Sequence, residues 1–229
     1  MKDISLIAFD ADDTLWECQT YFEAVEKEYC ELLKSYASAD EISKALFAVE
    51  TANMPLLGYG SKAFLLSLLE NAIEVSGGRL KADEVEKIIK LGKELLQLPG
   101  KPMDGVEETL KVLHERGEYH LVVFTKGELL DQENKFHRSG LKSFFDDIIV
   151  VSDKTEASYY QLCERFSINV EQLLMVGNSF RSDIEPVLKL GGWAAHIPFH
   201  TTWQHEVVEE YEHPHLLKLE YFTQLNQVL

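Results

Sequence analysis

The amino-acid sequence predicts an α/β protein: a five-stranded parallel sheet with helices on both faces, interrupted by an all-α insertion. An apolar strand opens the chain, residues 17–97 carry helical spacing without a strand, and strands alternate with helices from residue 104 onward. Strands joined by helical crossovers form parallel sheets that are covered on both faces. We therefore expect a core domain of residues 1–16 and 98–229 and a helical domain of residues 17–97.

The first strand ends in a cluster of acids. Leu6 to Phe9 is apolar, as expected for a strand buried on both faces, and Asp10, Asp12 and Asp13 follow directly. In extended backbone, Asp10 and Asp12 would lie on the same side. Such a pair could bind a divalent cation, or one carboxylate could attack a substrate while the other transfers a proton. An acidic loop beside a core strand is the alternative interpretation.

The insertion is predicted to hold four helices. Asn53 and Pro55 should end the second helix, Gly77 should end the third, and Asp83 to Glu86 should form the capping box of the fourth. The expected helices cover residues 17–37 and 40–52, a segment through Leu65 and Ile73, and a segment from Asp83 to about Leu98.

The second half of the chain is predicted to supply the other four strands. Gly117 and Gly140 are expected to end two of the helices between them. The predicted strands are residues 120–124, 148–151, 173–176 and 193–197; the predicted helices are residues 106–116 and 128–139, a segment from Tyr160 to Phe166, residues 184–190 and a terminal helix at 216–229.

Composition narrows the classes of partner. The 39 acids against 22 Lys and Arg give a formal net charge of −17, which repels nucleic acid and anionic membrane surfaces. The three cysteines fit no metal or disulfide spacing, and we found neither a signal-peptide pattern nor an 18-residue apolar run. We therefore expect a soluble, cytoplasmic protein. The acidic run from Glu206 to Glu212 is interpreted as a solvated face.

Polar residues follow four of the five predicted strands, and in a parallel sheet these positions meet at one edge, where ligands bind. Each has an ordinary explanation as a helix cap or a solvated turn. Together they supply acids, hydroxyl groups and a cation, which is what phosphoryl transfer to a carboxylate requires. Besides Asp10 and Asp12, they are Thr125, Lys126, Asp153, Lys154, Asn178, Ser179 and Asp183.

These motifs resemble those of the haloacid dehalogenase superfamily, in its phosphatase branch with a helical C1-type cap on a three-layer Rossmann-like core. The resemblance covers the whole chain and follows four motifs in order: Asp10-Ala11-Asp12-Asp13-Thr14, Thr125, Lys154, and Gly177-Asn178-Ser179 through Asp183. The sequence departs from the family pattern at two positions. In the family, the fourth motif often begins Gly-Asp, and the lysine of the third motif is often followed by Pro. Here these positions are Asn178 and Thr155, and Lys126 stays open as an alternative to Lys154.

The resemblance implies a nucleophile and an acid/base. Asp10 would form an aspartyl-phosphate, and Asp12 would protonate the leaving group and then take a proton from water. Mg²⁺ would be held by Asp10, the main-chain carbonyl of Asp12 and Asp183, with Asn178 reaching a metal-bound water.

The resemblance also implies phosphoryl contacts. Thr125 and Ser179 would donate hydrogen bonds to the phosphoryl oxygens, and Lys154 would neutralise charge that develops during transfer. The cap would close over the site, with Tyr59 and Lys62 as possible substrate contacts.

The expected function is thus Mg²⁺-dependent hydrolysis of a small phosphorylated metabolite by a monomer or homodimer. Haloalkanoate dehalogenases of the superfamily typically lack an acid at the position of Asp12, because halide leaves without a proton. A phosphomutase or phosphotransferase would use the same residues. A signalling receiver would carry its phosphorylated acid after the third strand, and a non-catalytic binding relative would be expected to have lost Asp10 or Asp12.

Overall fold

The structure is a computed structural model that describes residues 3–229. The chain divides into two compact units. The first joins the residues up to Gln19 with Pro99–Leu229, and the second is Thr20–Leu98.

The sheet of the first unit has six parallel strands in the order β3-β2-β1-β4-β5-β6. They are β1 (Leu6–Phe9), β2 (His120–Lys126), β3 (Asp147–Val151), β4 (Leu173–Gly177), β5 (Trp193–His196) and β6 (Leu216–Lys218). The prediction of a parallel α/β sheet is confirmed, but the prediction of five strands is wrong.

The sixth strand replaces part of the predicted terminal helix. Leu216 and Leu217 pair with Ala194 and Ala195 of β5, which would otherwise be the edge of the sheet. An edge strand of three residues is too short to show a period of two in the sequence, and the apolar pair therefore fits a helical pattern equally well. The described residues after β6 form a short 3₁₀ turn and a final helix, Leu225–Val228.

Nine α-helices are assigned within residues 3–229. They are α1 (Gln19–Leu33), α2 (Ala39–Leu57), α3 (Ser61–Val75), α4 (Ala82–Leu95), α5 (Val106–Arg116), α6 (Leu129–Ser139), α7 (Glu156–Phe166), α8 (Glu185–Lys189) and α9 (Leu225–Val228). Gly117 and Gly140 end α5 and α6 in the left-handed conformation, as predicted. No helix in the described part of the chain combines the length and apolar character needed to cross a membrane.

The sheet is buried on both faces. Ile7 and Phe9 of β1 pack into one apolar cluster with α5, α6 and α9, whereas Leu6 and Ala8 pack into another with α7 and α8. Successive strand residues point to opposite faces, so a strand covered on both sides is apolar at every position. This explains the continuous apolar run before Asp10.

The second unit consists of α1 to α4. Contrary to prediction, α2 continues through Asn53 and Pro55 and ends at Gly58, whose N–H donates to the Met54 carbonyl. Proline removes one hydrogen bond of the helix, and here the chain leaves the helix within the next turn. The fourth helix was predicted to begin at Asp83, but α4 begins at Ala82. The Glu84 carboxylate accepts a hydrogen bond from the Lys81 N–H, which caps the helix one residue earlier.

The register of the central strands determines where the first acidic motif lies. Phe9 of β1 pairs with Val123 of β2 on one side and with Val176 of β4 on the other. The Asp10 N–H still donates to the Val176 carbonyl, at 2.9 Å. Asp10 therefore emerges between the carboxyl ends of β2 and β4, where a parallel sheet binds its ligands.

Candidate active site

Asp10 lies at the carboxyl end of β1 and is almost fully buried. Its Oδ1 accepts a hydrogen bond from Lys154 Nζ at 2.5 Å, and its Oδ2 accepts one from the Thr14 hydroxyl at 3.2 Å. Burial raises the pKa of Asp10 to about 7, although Lys154 acts in the opposite direction and Asp183 adds to the increase. A carboxylate with a raised pKa beside a cation is typical of a functional site.

Lys154 joins two carboxylates from different strand ends. Its Nζ lies 2.6 Å from Asp183 Oδ1 as well as beside Asp10, and Asp183 is only 1% exposed. Burial alone lowers the pKa of Lys154, but the two carboxylates raise it above its usual range. Two buried carboxylates share one ammonium group, so either a proton on Asp10 or a further cation would balance the site.

Asp183 is held in place by the turn that follows β4. Its Oδ2 accepts the Ser179 N–H at 2.9 Å, within a π-helical turn at Phe180–Ile184 that precedes α8. Gly177 passes so close that a Cβ there would lie 2.2 Å from Asp183 Oδ2. Glycine at the end of β4 is therefore required for Asp183 to approach the site.

The Asp12 carboxylate has three partners. Trp16 Nε1 donates to its Oδ1 at 2.8 Å, and Gln132 Nε2 donates to its Oδ2 at 2.9 Å. Lys135 Nζ lies 2.8 and 2.7 Å from the two oxygens. Burial raises the pKa of Asp12, but Lys135 and the other donors outweigh it and lower the pKa overall. In this arrangement Asp12 is a carboxylate anion.

The Asn178 side chain lies against oxygen atoms of Asp10, Asp12 and Thr14. One terminal atom of its side-chain amide is 3.3 Å from Asp10 Oδ2, 3.3 Å from the Asp12 carbonyl oxygen and 3.1 Å from the Thr14 hydroxyl. With nitrogen in that position, the amide donates to both Asp10 and Asp12. With oxygen in that position, the Asn178 amide would face the acceptor oxygens of Asp10 and Asp12. A cation bound between these three oxygens would favour that orientation.

The Asp13 side chain stabilises the turn between β1 and α1. Its backbone is left-handed, with φ at 63°, and its carboxylate accepts the N–H groups of Cys18 and Gln19 at 2.7 and 3.0 Å. Asp tolerates this conformation better than most residues, because its short side chain can bind nearby backbone. Through these contacts Asp13 stabilises the turn that follows Asp12.

A second polar cluster joins the end of β2 to the turn after β4. The Glu206 carboxylate accepts hydrogen bonds from Lys126 Nζ, the Ser179 hydroxyl and, at 2.7 Å, the Ser182 hydroxyl. Lys126 Nζ also lies 2.9 Å from Ser182 Oγ. Ser179, expected to bind phosphate, is thus bonded to Glu206, and its contact with a phosphoryl group stays a prediction.

Glu206 corrects one sequence interpretation. It was assigned to a solvated acidic face, but it is only 9% exposed and contacts Lys126 and two serines. It lies in a 3₁₀ turn after β5, Gln204–Glu206, which is too short for a periodic pattern to indicate burial. The interpretation failed because charge compensation by a residue 80 positions away leaves no local pattern.

Gln132 and Lys135 are further residues that the sequence analysis missed. Both are buried on α6, one turn apart, on the face that also carries Phe136. Polar residues on the apolar face of a helix that follows β2 were the available signal. Their spacing of three places them side by side.

The other predicted residues have these positions. Thr125 is buried at the end of β2, and its hydroxyl lies 3.5 Å from the Lys126 carbonyl. Lys154 contacts Asp10 and Asp183, whereas the alternative lysine, Lys126, contacts Glu206. Tyr59 and Lys62 belong to the second unit, just before α3 and in its first turn. Their contact with a substrate stays a prediction.

The donor set suits a hard divalent cation. In residues 3–229, no group of three or more His, Cys, Asp or Glu side chains is arranged to hold a metal ion. Asp10 and Asp183 nevertheless supply two carboxylates that share one lysine, and the Asn178 amide lies 3.3 Å from both Asp10 Oδ2 and the Asp12 carbonyl oxygen. Mg²⁺ prefers such oxygen ligands and retains water, so few protein ligands suffice.

The arrangement combines a buried carboxylate, a cation beside it and a second carboxylate two residues later. Asp10 is suited to attack an electrophile, because Lys154 lies against one of its oxygens. Asp12 is suited to exchange a proton with a group nearby. This combination of groups is suited to a hydrolase.

Comparison with known proteins identifies the family. Residues 4–191 match the family described as haloacid dehalogenase-like hydrolase, so the chain belongs to that family and is a hydrolase. A crystal structure of a haloacid dehalogenase-like family hydrolase from Xanthomonas campestris is 34% identical, with a TM-score of 0.89, covering 99% of this chain and 90% of that one.

Relatives from two branches are similar to this chain. Haloacetate dehalogenase H-2 of Moraxella sp. (strain B) is 27% identical over 185 residues, 78% of this chain and 79% of its own length. A predicted phosphoglycolate phosphatase from Haemophilus somnus 129pt has the same fold, with 18% identity, a TM-score of 0.64 and coverage of 100% and 99% of the two chains. The family is therefore established, while the substrate is not.

Proposed function

We propose that the chain is a Mg²⁺-dependent phosphatase that hydrolyses a small phosphomonoester through an aspartyl-phosphate on Asp10. The observation that carries the proposal is the Asp12 carboxylate, which Trp16, Gln132 and Lys135 hold two residues after the nucleophile. An alkoxide leaving group needs a proton, whereas a halide does not, so an ordered acid/base favours phosphate esters.

In the first half-reaction, a carboxylate oxygen of Asp10 attacks phosphorus and the bond to the leaving oxygen breaks. Asp12, which its three donors hold as an anion, would first have to take up a proton and would then give it to the leaving oxygen. In the second half, water attacks phosphorus, the bond to Asp10 breaks, and the Asp12 carboxylate accepts the proton from water. The contacts around Asp12 suit this second step, because all three partners donate hydrogen bonds to an anion.

Other groups would bind the phosphoryl oxygens. Lys154 lies against Asp10 and is therefore the better choice than Lys126, which is paired with Glu206. Thr125 would donate its hydroxyl from the end of β2. Lys154 also balances part of the charge that the incoming phosphate adds to a buried acidic site.

A divalent cation would be held by Asp10, the main-chain carbonyl of Asp12 and Asp183, with Asn178 beside them. When bound, Mg²⁺ neutralises charge on the phosphoryl group during transfer. A small metabolite as substrate, Tyr59 and Lys62 as contacts to it, a cytoplasmic location and a monomeric or homodimeric state belong to the same proposal.

The test measures phosphate release from p-nitrophenyl phosphate and a panel of phosphorylated metabolites, with and without Mg²⁺. We expect Mg²⁺-dependent turnover that Asp10→Asn abolishes. Asp153→Asn is the matched control, because Asp153 also follows a strand but is exposed, and Asn keeps the oxygen that accepts the Lys154 N–H. No turnover by the wild type, or full turnover by Asp10→Asn, would refute the proposal.

Dehalogenation is the second candidate, because the similarity to haloacetate dehalogenase H-2 favours it. There, Asp10 would attack carbon, the carbon–halogen bond would break, and water would hydrolyse the resulting ester. Chloride release from chloroacetate, measured alongside phosphate release, separates the two. Chloride release that Asp10→Asn abolishes, without phosphate release, would select this candidate.

Transfer to an alcohol is distinguished by product analysis. A phosphotransferase or mutase would give a new phosphate ester at the expense of free phosphate when an acceptor alcohol is added. We expect free phosphate to stay the main product.

A further inference from the structure

Tyr159 is a fully buried side chain that contacts the turn holding Asp183. It lies near the start of α7, and its exposed fraction is 0%. Its hydroxyl donates a hydrogen bond to the Ser182 carbonyl at 2.9 Å and lies 3.3 Å from the Asp183 carbonyl oxygen. A buried phenol hydroxyl is costly without a partner, so this contact fixes the position of the Tyr159 side chain.

The Ser182 carbonyl lacks the donor that an α-helix would give it. In an α-helix it would accept a hydrogen bond from the N–H four residues later, but that residue is Pro186, which has none. Ser182 lies within the π-helical turn Phe180–Ile184, and such turns are frequent at functional sites. The Tyr159 hydroxyl supplies a donor in place of the one that Pro186 lacks.

The Tyr159 side chain also contacts the central sheet. Its ring packs edge-on against Phe124 of β2, with the ring centroids 5.1 Å apart. The helix that carries Tyr159 begins just after Lys154, with Thr155 as its N-cap. Tyr159 therefore connects the segment that carries Lys154 to the turn that carries Asp183.

This connection bears on the ion pair between Lys154 and Asp183. Asp183 Oδ1 accepts a hydrogen bond from Lys154 Nζ at 2.6 Å, and its Oδ2 accepts the Ser179 N–H at 2.9 Å. The carboxylate keeps both contacts only while its backbone stays in place, and Tyr159 bonds to the carbonyl of the peptide group that leads into Asp183. A shift of this turn would therefore displace one of the two buried carboxylates suited to hold a cation.

We infer that Tyr159 is a positioning residue that keeps Asp183 in place for binding of a divalent cation. The inference rests on the proposed Mg²⁺-dependent function and adds to it a residue outside the four motifs. Tyr159 acts through Asp183 and is not a catalytic residue. Loss of a group that orients a metal ligand typically weakens metal affinity about 10- to 100-fold.

The test compares the Mg²⁺ affinity of Tyr159→Phe with that of the wild type, measured from the rise of Tm with Mg²⁺ concentration. The variant keeps the ring and loses only the hydroxyl that donates to the Ser182 carbonyl. We expect the apparent Kd for Mg²⁺ to increase at least about 10-fold. The Mg²⁺ concentration that gives half-maximal hydrolysis of p-nitrophenyl phosphate should rise by a similar factor.

Tyr29→Phe is the matched control. Tyr29, on α1 of the second unit, is also 0% exposed, and its hydroxyl donates to the Leu68 carbonyl at 2.9 Å. Each variant loses one buried hydrogen bond to a main-chain carbonyl, so each should lower the Tm without Mg²⁺ by about 2 to 4 °C. Because α1 and α3 supply none of the predicted metal ligands, Tyr29→Phe should change the Kd for Mg²⁺ less than about 3-fold.

A double variant tests the role of Pro186. Pro186→Ala returns an N–H to the position four residues after Ser182. In the Tyr159→Phe background, it should restore the Kd for Mg²⁺ to within about 3-fold of the wild-type value. If Tyr159→Phe alone does not fold, as judged by circular dichroism, the double variant provides the decision: a folded protein with restored affinity supports the inference, and any other result overturns it.

An unchanged Kd in Tyr159→Phe, an equal change in Tyr29→Phe, or no restoration in the double variant would also overturn the inference. Wild-type protein whose Tm and turnover do not respond to Mg²⁺ would instead refute the proposed Mg²⁺-dependent function, and the inference with it.

Discussion

Glu206 accepts a hydrogen bond of 2.7 Å from Ser182, although 24 residues separate them in the chain. Through Lys126 and Ser179 the same carboxylate connects the end of β2 to the turn after β4. Thr125 lies at the end of β2 and Asp183 in the turn after β4, and Glu206 therefore joins the two strand ends that flank Asp10.

Removal of Glu206 should destabilise the first unit. Glu206→Ala leaves Lys126 without its carboxylate partner in a largely buried position, and we expect a loss of about 3 kcal/mol in the free energy of unfolding. Urea denaturation measures it. Lys126→Met in the Glu206→Ala background should restore part of the loss, because it removes the uncompensated charge. A single-variant loss below about 0.5 kcal/mol, the range of ordinary surface substitutions, would contradict this account.

Mg²⁺ should stabilise the folded protein through Asp183. Binding to the native state alone stabilises it by about 2.7 kcal/mol at a concentration 100 times the Kd. We expect Tm to rise with Mg²⁺ for the wild type and to stay constant for Asp183→Asn, which removes one of the two buried carboxylates. Thermal unfolding monitored by circular dichroism provides the readout. An equal rise in Asp183→Asn would exclude Asp183 as a ligand.

Gly177→Ala should disable the site through a steric effect. The added Cβ would lie 2.2 Å from Asp183 Oδ2, so the carboxylate must move away from Lys154. We expect at least about a 100-fold loss of kcat/KM and loss of the Mg²⁺-dependent rise in Tm.

Gly117→Ala is the control for Gly177→Ala. Gly117 ends α5 with φ at 63°, and a Cβ there meets no atom within 4 Å. This variant should lose about 1 kcal/mol of stability and keep its activity. Activity retained by Gly177→Ala would show that Asp183 can move without consequence.

Glu50, on α2, should make stability depend on pH. Burial raises the pKa of Glu50 from 4.5 to about 7, and the nearby Glu26 adds to the increase. The folded state therefore holds this proton more tightly than the unfolded state, and the associated stability is lost as pH rises from about 4.5 through 7. Glu50→Gln should be more stable than the wild type at pH 8, by up to about 3 kcal/mol, and should differ much less at pH 4.5.

Urea denaturation at the two pH values tests the effect of Glu50. Glu74→Gln, an exposed glutamate of α3, serves as control and should change stability by less than about 0.5 kcal/mol. An equal gain for Glu50→Gln at both pH values would mean that the effect is not electrostatic.

Patterns within single elements made much of the fold predictable. Continuous apolar runs predicted five of the six strands, β1 to β5. Gly117 and Gly140 marked the ends of α5 and α6. The short β6 was missed, because its pairing with β5 depends on a partner rather than on its own period.

The residues of the site that follow strands could be grouped from the sequence, because the carboxyl ends of parallel strands meet at one edge of the sheet. Asp10, Lys154 and Asp183 come from three segments, and the rule that parallel strands bind ligands at their carboxyl edge was enough to group them. The same rule offered no means of separating Lys154 from Lys126, since both follow strands.

The sequence by itself determined the class of fold, the family and the acidic motif after β1, because each is written in residues close together in the chain. Only the tertiary structure decided that Lys135 pairs with Asp12 and that Glu206 pairs with Lys126. Such pairs form because buried charges must find partners in three dimensions, and that requirement leaves no periodic pattern in the chain.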